Sequence, residues 1–361
     1  MNNKSLLILV GIFCLPFWLF AQQDKAITYG INARQGYLIK HRKEIDPSLE
    51  NRFPRGIEFF YHVKTNGDKP WQHEWNFPGI GFSAGWFNLD NPEVLGDMYY
   101  ATIYFQKFLI KKPSKHQLSF KIAPGISYST KIYDEETNPT NILVSTKFNT
   151  VMEGNFLYHY QFSPKWRINT GLTFTHYSNG AVKKPNKGVN IPSFTLGIAH
   201  TPNPERFKIN ENVKFSYEKG VSYDLSYGFG WKAADIGYDP DFAWTISFNG
   251  IKRTGPKTGW MLGTDLVYNS SIPKVIKKDD AELFRTGITF GHHLFVSKIN
   301  LVTQIGYYIY RPEKDLDEPI YLRWGLKYYP SKRVFASMML KTHYGKADLI
   351  EWGLGYTFGK K

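Results

Sequence analysis

From about residue 28 to its end, the chain runs in short segments whose alternate residues are apolar, and no stretch beyond the leader is apolar for the length a spanning helix needs. The last segment, ADLIEWGLGYTF, sends Ile350, Trp352, Leu354, Tyr356 and Phe358 to one face. Earlier, Ile299, Leu301, Ile305, Tyr307 and Ile309 alternate with Lys298, Asn300, Gln304 and Gly306. One or two such strands suit the lid of a water-soluble core. Alternation in nearly every segment, with no amphipathic helix to cover the apolar face, requires lipid on that face. The expectation is an all-β, transmembrane antiparallel β-barrel of about 12 to 16 strands in a bacterial outer membrane.

Sixteen segments can be counted: 28–42, 55–65, 78–88, 97–110, 116–128, 148–162, 165–178, 190–200, 219–231, 241–251, 257–269, 282–295, 298–310, 319–329, 333–344 and 347–358. Connection length supports the count. With a periplasmic amino terminus, connections after even strands are short and those after odd strands long. SPK (163–165), SK (297–298) and PSKR (330–333) follow even strands, whereas 43–54, 129–147 and 270–281 follow odd ones. The linker after the second strand and the segment 201–218 are longer than this rule expects. Aromatics at 17% supply the Tyr and Trp that girdle such barrels near strand ends.

Residues 1–21 read as a signal peptide: Lys4 gives the positive start, Ser5 to Phe20 an apolar run broken by Pro16, and Ala21 a small residue before the cut. Residues 22–361 then form one barrel domain, because no linker or low-complexity tract divides them. Cys14 is the one cysteine, so the exported chain has neither disulfides nor cysteine metal sites. The net charge of +14 is spread rather than blocked, which suits an anionic lipid surface and not nucleic acid.

The stretch HYSNGAVKKPNKGVN, His176 to Asn190, carries the chemistry. Before it, Trp166, Ile168, Thr170, Leu172, Phe174, His176 and Ser178 share one strand face; after it, Asn190 falls in with Phe194, Leu196 and Ile198. His176, Ser178 and Asn190 therefore face lipid at the outer end of the seventh and eighth segments. A His and a Ser two apart on one face lie within reach for the imidazole to take the hydroxyl proton, the minimum for a serine nucleophile. On the same segment's neighbour, Ser193 points to the inner face.

These fifteen residues resemble the signature of the lipid A 3-O-deacylases (PagL), acyloxyacyl-hydrolase-like enzymes of the outer membrane. His176, Ser178 and Asn179 match its H-x-S-N run, and Lys183 or Lys184, Pro185, Asn186 and Gly188 match the K-x-P-N-x-G connection. The resemblance implies a barrel that hydrolyses an ester-linked acyl chain of lipid A in the outer leaflet, with Ser178 as nucleophile and His176 as base. It implies no cofactor and no metal, and lipopolysaccharide as the partner. It also implies an acidic third member fourteen residues after the His, where this chain has Asn190. An Asn carbonyl still accepts from a ring N–H and fixes its tautomer, but it cannot stabilise the imidazolium by charge. Asn179, with the N–H groups of Gly180 and Ala181, is the candidate oxyanion hole. Lys183, Lys184, Asn186 and Lys187 are candidates to meet lipid A, the lysines through its phosphates. Known members are eight-stranded and much shorter, so much of this chain lies outside the resemblance. A non-enzymatic pore or scaffold with a vestigial motif is the competing reading.

Other polar clusters carry less. His292 and His293 are adjacent on one segment and point to opposite faces, and the acidic runs 134–136 and 313–318 read as solvated loops.

Overall fold

All sixteen segments form strands, but they close into two rings of eight instead of one wide barrel. A computed structural model describes residues 26–110, 114–206, 208–213, 217, 219–314 and 316–359; the leader expected at 1–21 lies outside them. The first barrel contains β1 (Ile27–Gly36), β2 (Arg55–Lys64), β3 (Gly79–Asn88), β4 (Asp97–Phe108), β5 (His116–Ser129), β6 (Phe148–Gln161), β7 (Trp166–Ser178) and β8 (Val189–His200). The second contains β9 (Gly220–Ala233), β10 (Pro240–Arg253), β11 (Thr258–Asn269), β12 (Phe284–Val296), β13 (Ile299–Tyr310), β14 (Ile320–Tyr328), β15 (Val334–His343) and β16 (Lys346–Gly359). The strand β1 ends at Gly36, but the chain keeps backbone bonds to both neighbours as far as Ile39, with the Leu38 N–H donating to Arg52 O and the Ile39 N–H to Asn190 O, each at 3.0 Å, before it enters the connection to β2.

Closure follows from the solvent. In hydrocarbon an unpaired strand edge leaves each N–H and C=O unsatisfied at several kcal/mol apiece, so β8 must find a partner. It takes β1, in a register running from Tyr29↔His200 to Gly36↔Ser193. β16 likewise returns to β9, from Trp352↔Phe229 to Gly359↔Ser222. Outside and inside are plain from exposure: Leu172 is 65% exposed and its neighbour Thr173 2%.

Eight strands enclose a space that side chains fill. In the first barrel, Arg34 pairs with Glu58 at 2.5 Å and with Glu153, and Lys121 lies 3.3 Å from Glu58, all buried. In the second, Arg323 meets Asp265 at 3.1 Å and Glu351 at 2.9 Å, while Lys327 meets Asp224 at 2.7 Å. Tyr321 and Ser247 both donate to Asp265 at 2.6 Å. These paired charges plug the lumens, so a wide water-filled channel has no place in either ring.

The two connections that broke the length rule are where the barrels join. Residues 201–219 link β8 to β9, and 65–78, which include a one-turn helix (Pro70–Glu74), pack beside that linker. The Asn210 N–H donates to Asn66 O at 2.8 Å, and the Trp75 indole N–H donates to Phe295 O at 3.0 Å.

At the opposite, outer end of the first barrel the long connections fold into a lid. Leu38, Ile45, Leu49, Leu89, Leu95, Leu143 and Val144 pack on the inward residues Tyr177, Val189 and Ile191. The acidic run at 134–136 is an exposed turn in this lid, where Asp134 accepts from Thr137. The run at 313–318 differs from its expected solvated loop. Asp317 is largely buried and accepts from Arg285 at 2.5 Å, with Arg311 at 3.6 Å, and Glu313 lies 3.2 Å from Lys278.

Candidate active site

β7 and β8 pair in the register that sets His176 directly opposite Asn190, with Met152 of β6 on the other flank. All three point outward, as the alternation requires. His176 Nδ1 lies 2.7 Å from Asn190 Oδ1, and its Nε2 lies 3.2 Å from Ser178 Oγ. An amide oxygen only accepts, so Nδ1 carries the proton and Nε2 presents its lone pair to the serine hydroxyl. That is the tautomer a general base needs. Ser178 is 8% exposed at the strand end, and Thr150 of β6 ties its backbone carbonyl at 2.9 Å.

Gly188 makes room for the pair. At φ +77°, it would, with a side chain, place a Cβ 2.9 Å from His176 Cε1 and 3.4 Å from Ser178 Cβ. That accounts physically for the glycine closing the K-x-P-N-x-G run.

The connection 179–188 is internally tied. The Asn179 side-chain N–H groups donate to Ser145 Oγ at 3.1 Å and to Lys183 O at 2.9 Å, and its backbone N–H donates to Asn186 Oδ1 at 3.3 Å. The donors of Asn179 and the carbonyl of Asn186 thus shape the loop. Among the described residues, the Gly180 and Ala181 N–H groups have no acceptor. Of the three lysines, Lys183 is exposed and Lys187 lies 3.8 Å from Glu44. Lys184 is turned away, donating to Ala234 O of the second barrel at 2.6 Å. Burial and then the neighbouring Lys346 ammonium pull its pKa below the usual lysine value.

The second barrel therefore abuts the site, which the motif alone did not indicate. The Ala233 N–H donates to Ala181 O at 2.9 Å, and a Cβ on Gly180 would meet Ile350 Cδ1 at 2.2 Å. A second feature missed in the sequence is His41, in the connection between β1 and β2. Its Nδ1 lies 3.1 Å from Asn190 Nδ2 and its Nε2 2.9 Å from Lys187 O. It falls at the end of the alternating segment 28–42, past the end of β1, and its partners are nearly 150 residues away in sequence. His292 and His293 do face opposite ways: His293 is buried inside against Met261 S, and His292 lies outside against Trp260.

The outward register yields a labelling prediction. With Cys14 replaced, Ser178→Cys reacts with a membrane-dissolved maleimide, and Ser193→Cys, whose side chain is buried inside the barrel, does not. Labelling of the 178 thiol by a water-soluble reagent alone overturns the lipid-facing assignment.

Family models match both halves of the chain. Lipid A 3-O-deacylase (PagL) matches residues 55–199, and the acyloxyacyl hydrolase C-terminal domain matches residues 221–361. No curated relative matches. Among solved structures the chain is similar to the Acinetobacter baumannii outer membrane protein Omp33, at 9% identity over 93% of this chain and 99% of that one, TM-score 0.17. It is similar also to OccAB4 of that organism, at 9% identity over 93% and 99%, TM-score 0.26. A Rhodopseudomonas blastica porin triple mutant aligns at 7% identity over 92% and 100%, TM-score 0.19. At such scores these superpositions carry no argument. The two family matches, one on each barrel and together spanning most of the chain, do: this chain belongs to the lipid A 3-O-deacylase (PagL) family of acyloxyacyl hydrolases.

Proposed function

We propose that the first barrel is an esterase that removes an ester-linked acyl chain from lipid A in the outer leaflet of a Gram-negative outer membrane. Family membership supports the substrate class and the location. The observation that carries the reading is the unbroken line from Asn190 to His176 to Ser178, at 2.7 and 3.2 Å, on the lipid-facing side of the barrel.

Ser178 Oγ attacks the ester carbonyl carbon as its proton passes to His176 Nε2. Asn190 Oδ1 holds the ring by its Nδ1–H throughout. The oxyanion that forms is met by the Gly180 and Ala181 N–H groups. His176 returns its proton to the sugar oxygen as the carbon–oxygen bond breaks, leaving acyl-Ser178 and a free hydroxyl on lipid A. Water then gives a proton to His176 and its hydroxide to the acyl carbon. The fatty acid leaves and Ser178 recovers its proton. No cofactor enters this cycle. Lys183 and Lys187, at the membrane surface, suit the lipid A phosphates, whereas Lys184 is engaged with the second barrel.

Because substrate lies in the leaflet, it enters sideways between strand face and lipid. The competing pore reading finds no support in lumens filled with paired charges. The test is mass spectrometry of lipid A incubated with the purified protein. Loss of the mass of one acyl chain, with the matching fatty acid released, is expected. Unaltered lipid A together with steady conductance in planar bilayers overturns the proposal.

A further inference from the structure

A carboxylate in the third place of a serine triad offers an acceptor oxygen whichever way it turns. An amide does not. Turned end for end, Asn190 would present an N–H to His176 Nδ1, drive the ring proton onto Nε2, and leave the imidazole donating to Ser178 instead of accepting from it. Something must hold the amide. We propose that His41 is the positioning residue that fixes the Asn190 amide in its productive orientation, an inference that rests on the serine mechanism above.

The hydrogen bonds run in one direction only. His41 Nε2 lies 2.9 Å from the carbonyl of Lys187, which only accepts, so the His41 proton sits on Nε2. The other neutral tautomer would press two acceptors together at that distance. Nδ1 of His41 therefore keeps its lone pair, and it lies 3.1 Å from Asn190 Nδ2. The Ile39 carbonyl also lies 3.2 Å from Nδ1, but it is the longer of the two carbonyl contacts, so the proton belongs with the 2.9 Å contact at Nε2. Asn190 donates to His41, accepts from His176 with Oδ1, and so leaves His176 Nε2 free to accept from Ser178. Reversing the first bond reverses every later one.

The fold holds His41 in register with the strand it serves. The Tyr37 N–H donates to Pro192 O and the Ile39 N–H to Asn190 O, each at 3.0 Å, so the segment carrying His41 is laid along β8 beside Asn190. Leu38, Ile45 and Leu49 bury the same connection in the outer lid. His41 also precedes the residues matched to the family, 55–199.

The experiment is a double-mutant comparison of kcat and KM for fatty-acid release from lipid A in mixed micelles, on heat-modifiable, folded protein. His41→Ala lowers kcat by roughly 10- to 100-fold and leaves KM unchanged, since His41 orients Asn190 and does not touch substrate. In the Asn190→Glu background, where either oxygen accepts, the same change has an effect within about twofold. His41→Gln keeps an acceptor for Asn190 and recovers most of kcat; His41→Phe does not. Equal losses in the two backgrounds, or Gln as slow as Phe, overturn the proposal, and the Gln–Phe comparison decides alone if Asn190→Glu is inactive. Activity surviving in Ser178→Ala overturns the serine reading and this proposal with it. Its loss there, with equal His41 effects, overturns this proposal alone.

Discussion

Ser178→Ala and His176→Ala each lower acyl release by on the order of 10⁴-fold or more, and the double variant is no slower than either alone. The nucleophile and its base act as one unit, 3.2 Å apart, so removing either removes the same step. Neither change disturbs the barrel. Both side chains face outward at a strand end, and the ladder bonds of β7 belong to its backbone. The folded, heat-resistant form on a gel and the released fatty acid by mass spectrometry read the two properties separately. Ser193→Ala is the control: Ser193 lies on β8, but its side chain is buried inside the barrel, and activity stays at the parent level. Release at near the parent rate from Ser178→Ala would mean that another group attacks the ester.

How much of this was legible before the structure depends on the kind of signal. Strand positions were, because period-two alternation is a local property: the segment 165–178 became Trp166–Ser178 and 190–200 became Val189–His200. The outward face of His176, Ser178 and Asn190 came with it, since a strand has only two faces. Ring closure was not legible. The outward residues of β8 alternate identically whether its free edge bonds β1 or β9, and only the inter-strand register distinguishes them. One trace did exist in 201–218, too long for an inner turn of one barrel and well suited to joining two. The role of His41 left no trace. It falls at the end of the alternating segment 28–42, past the end of β1, where nothing local marks it as part of the site, and its role comes from a contact nearly 150 residues distant in sequence. The docking of Gly180 and Ala181 on Ile350 and Ala233 is of the same kind, a surface fit between rings with no local pattern.

The second large effect is expected at Asn190, and it separates geometry from charge. Asn190→Ala removes the oxygen that holds His176 Nδ1–H at 2.7 Å, so the ring is free to turn and to adopt either tautomer. Acyl release falls by roughly 10- to 1000-fold while the barrel stays folded, because only a fraction of the molecules then present a lone pair to Ser178. An unchanged rate would return Asn190 to a simple strand-entry residue. Asn190→Glu tests the other half. When His176 takes the Ser178 proton it becomes a cation, and an amide oxygen meets it with a partial charge only. A carboxylate in the same place opposes a full negative charge to it and so favours the imidazolium more than an amide dipole does. Part of that gain is offset by the desolvation of the carboxylate against lipid, so the expected rise in rate is roughly tenfold. The two substitutions therefore move in opposite directions from one position. A fall in both would mean that the amide's N–H toward His41, which neither replacement keeps, matters more than the charge it lacks.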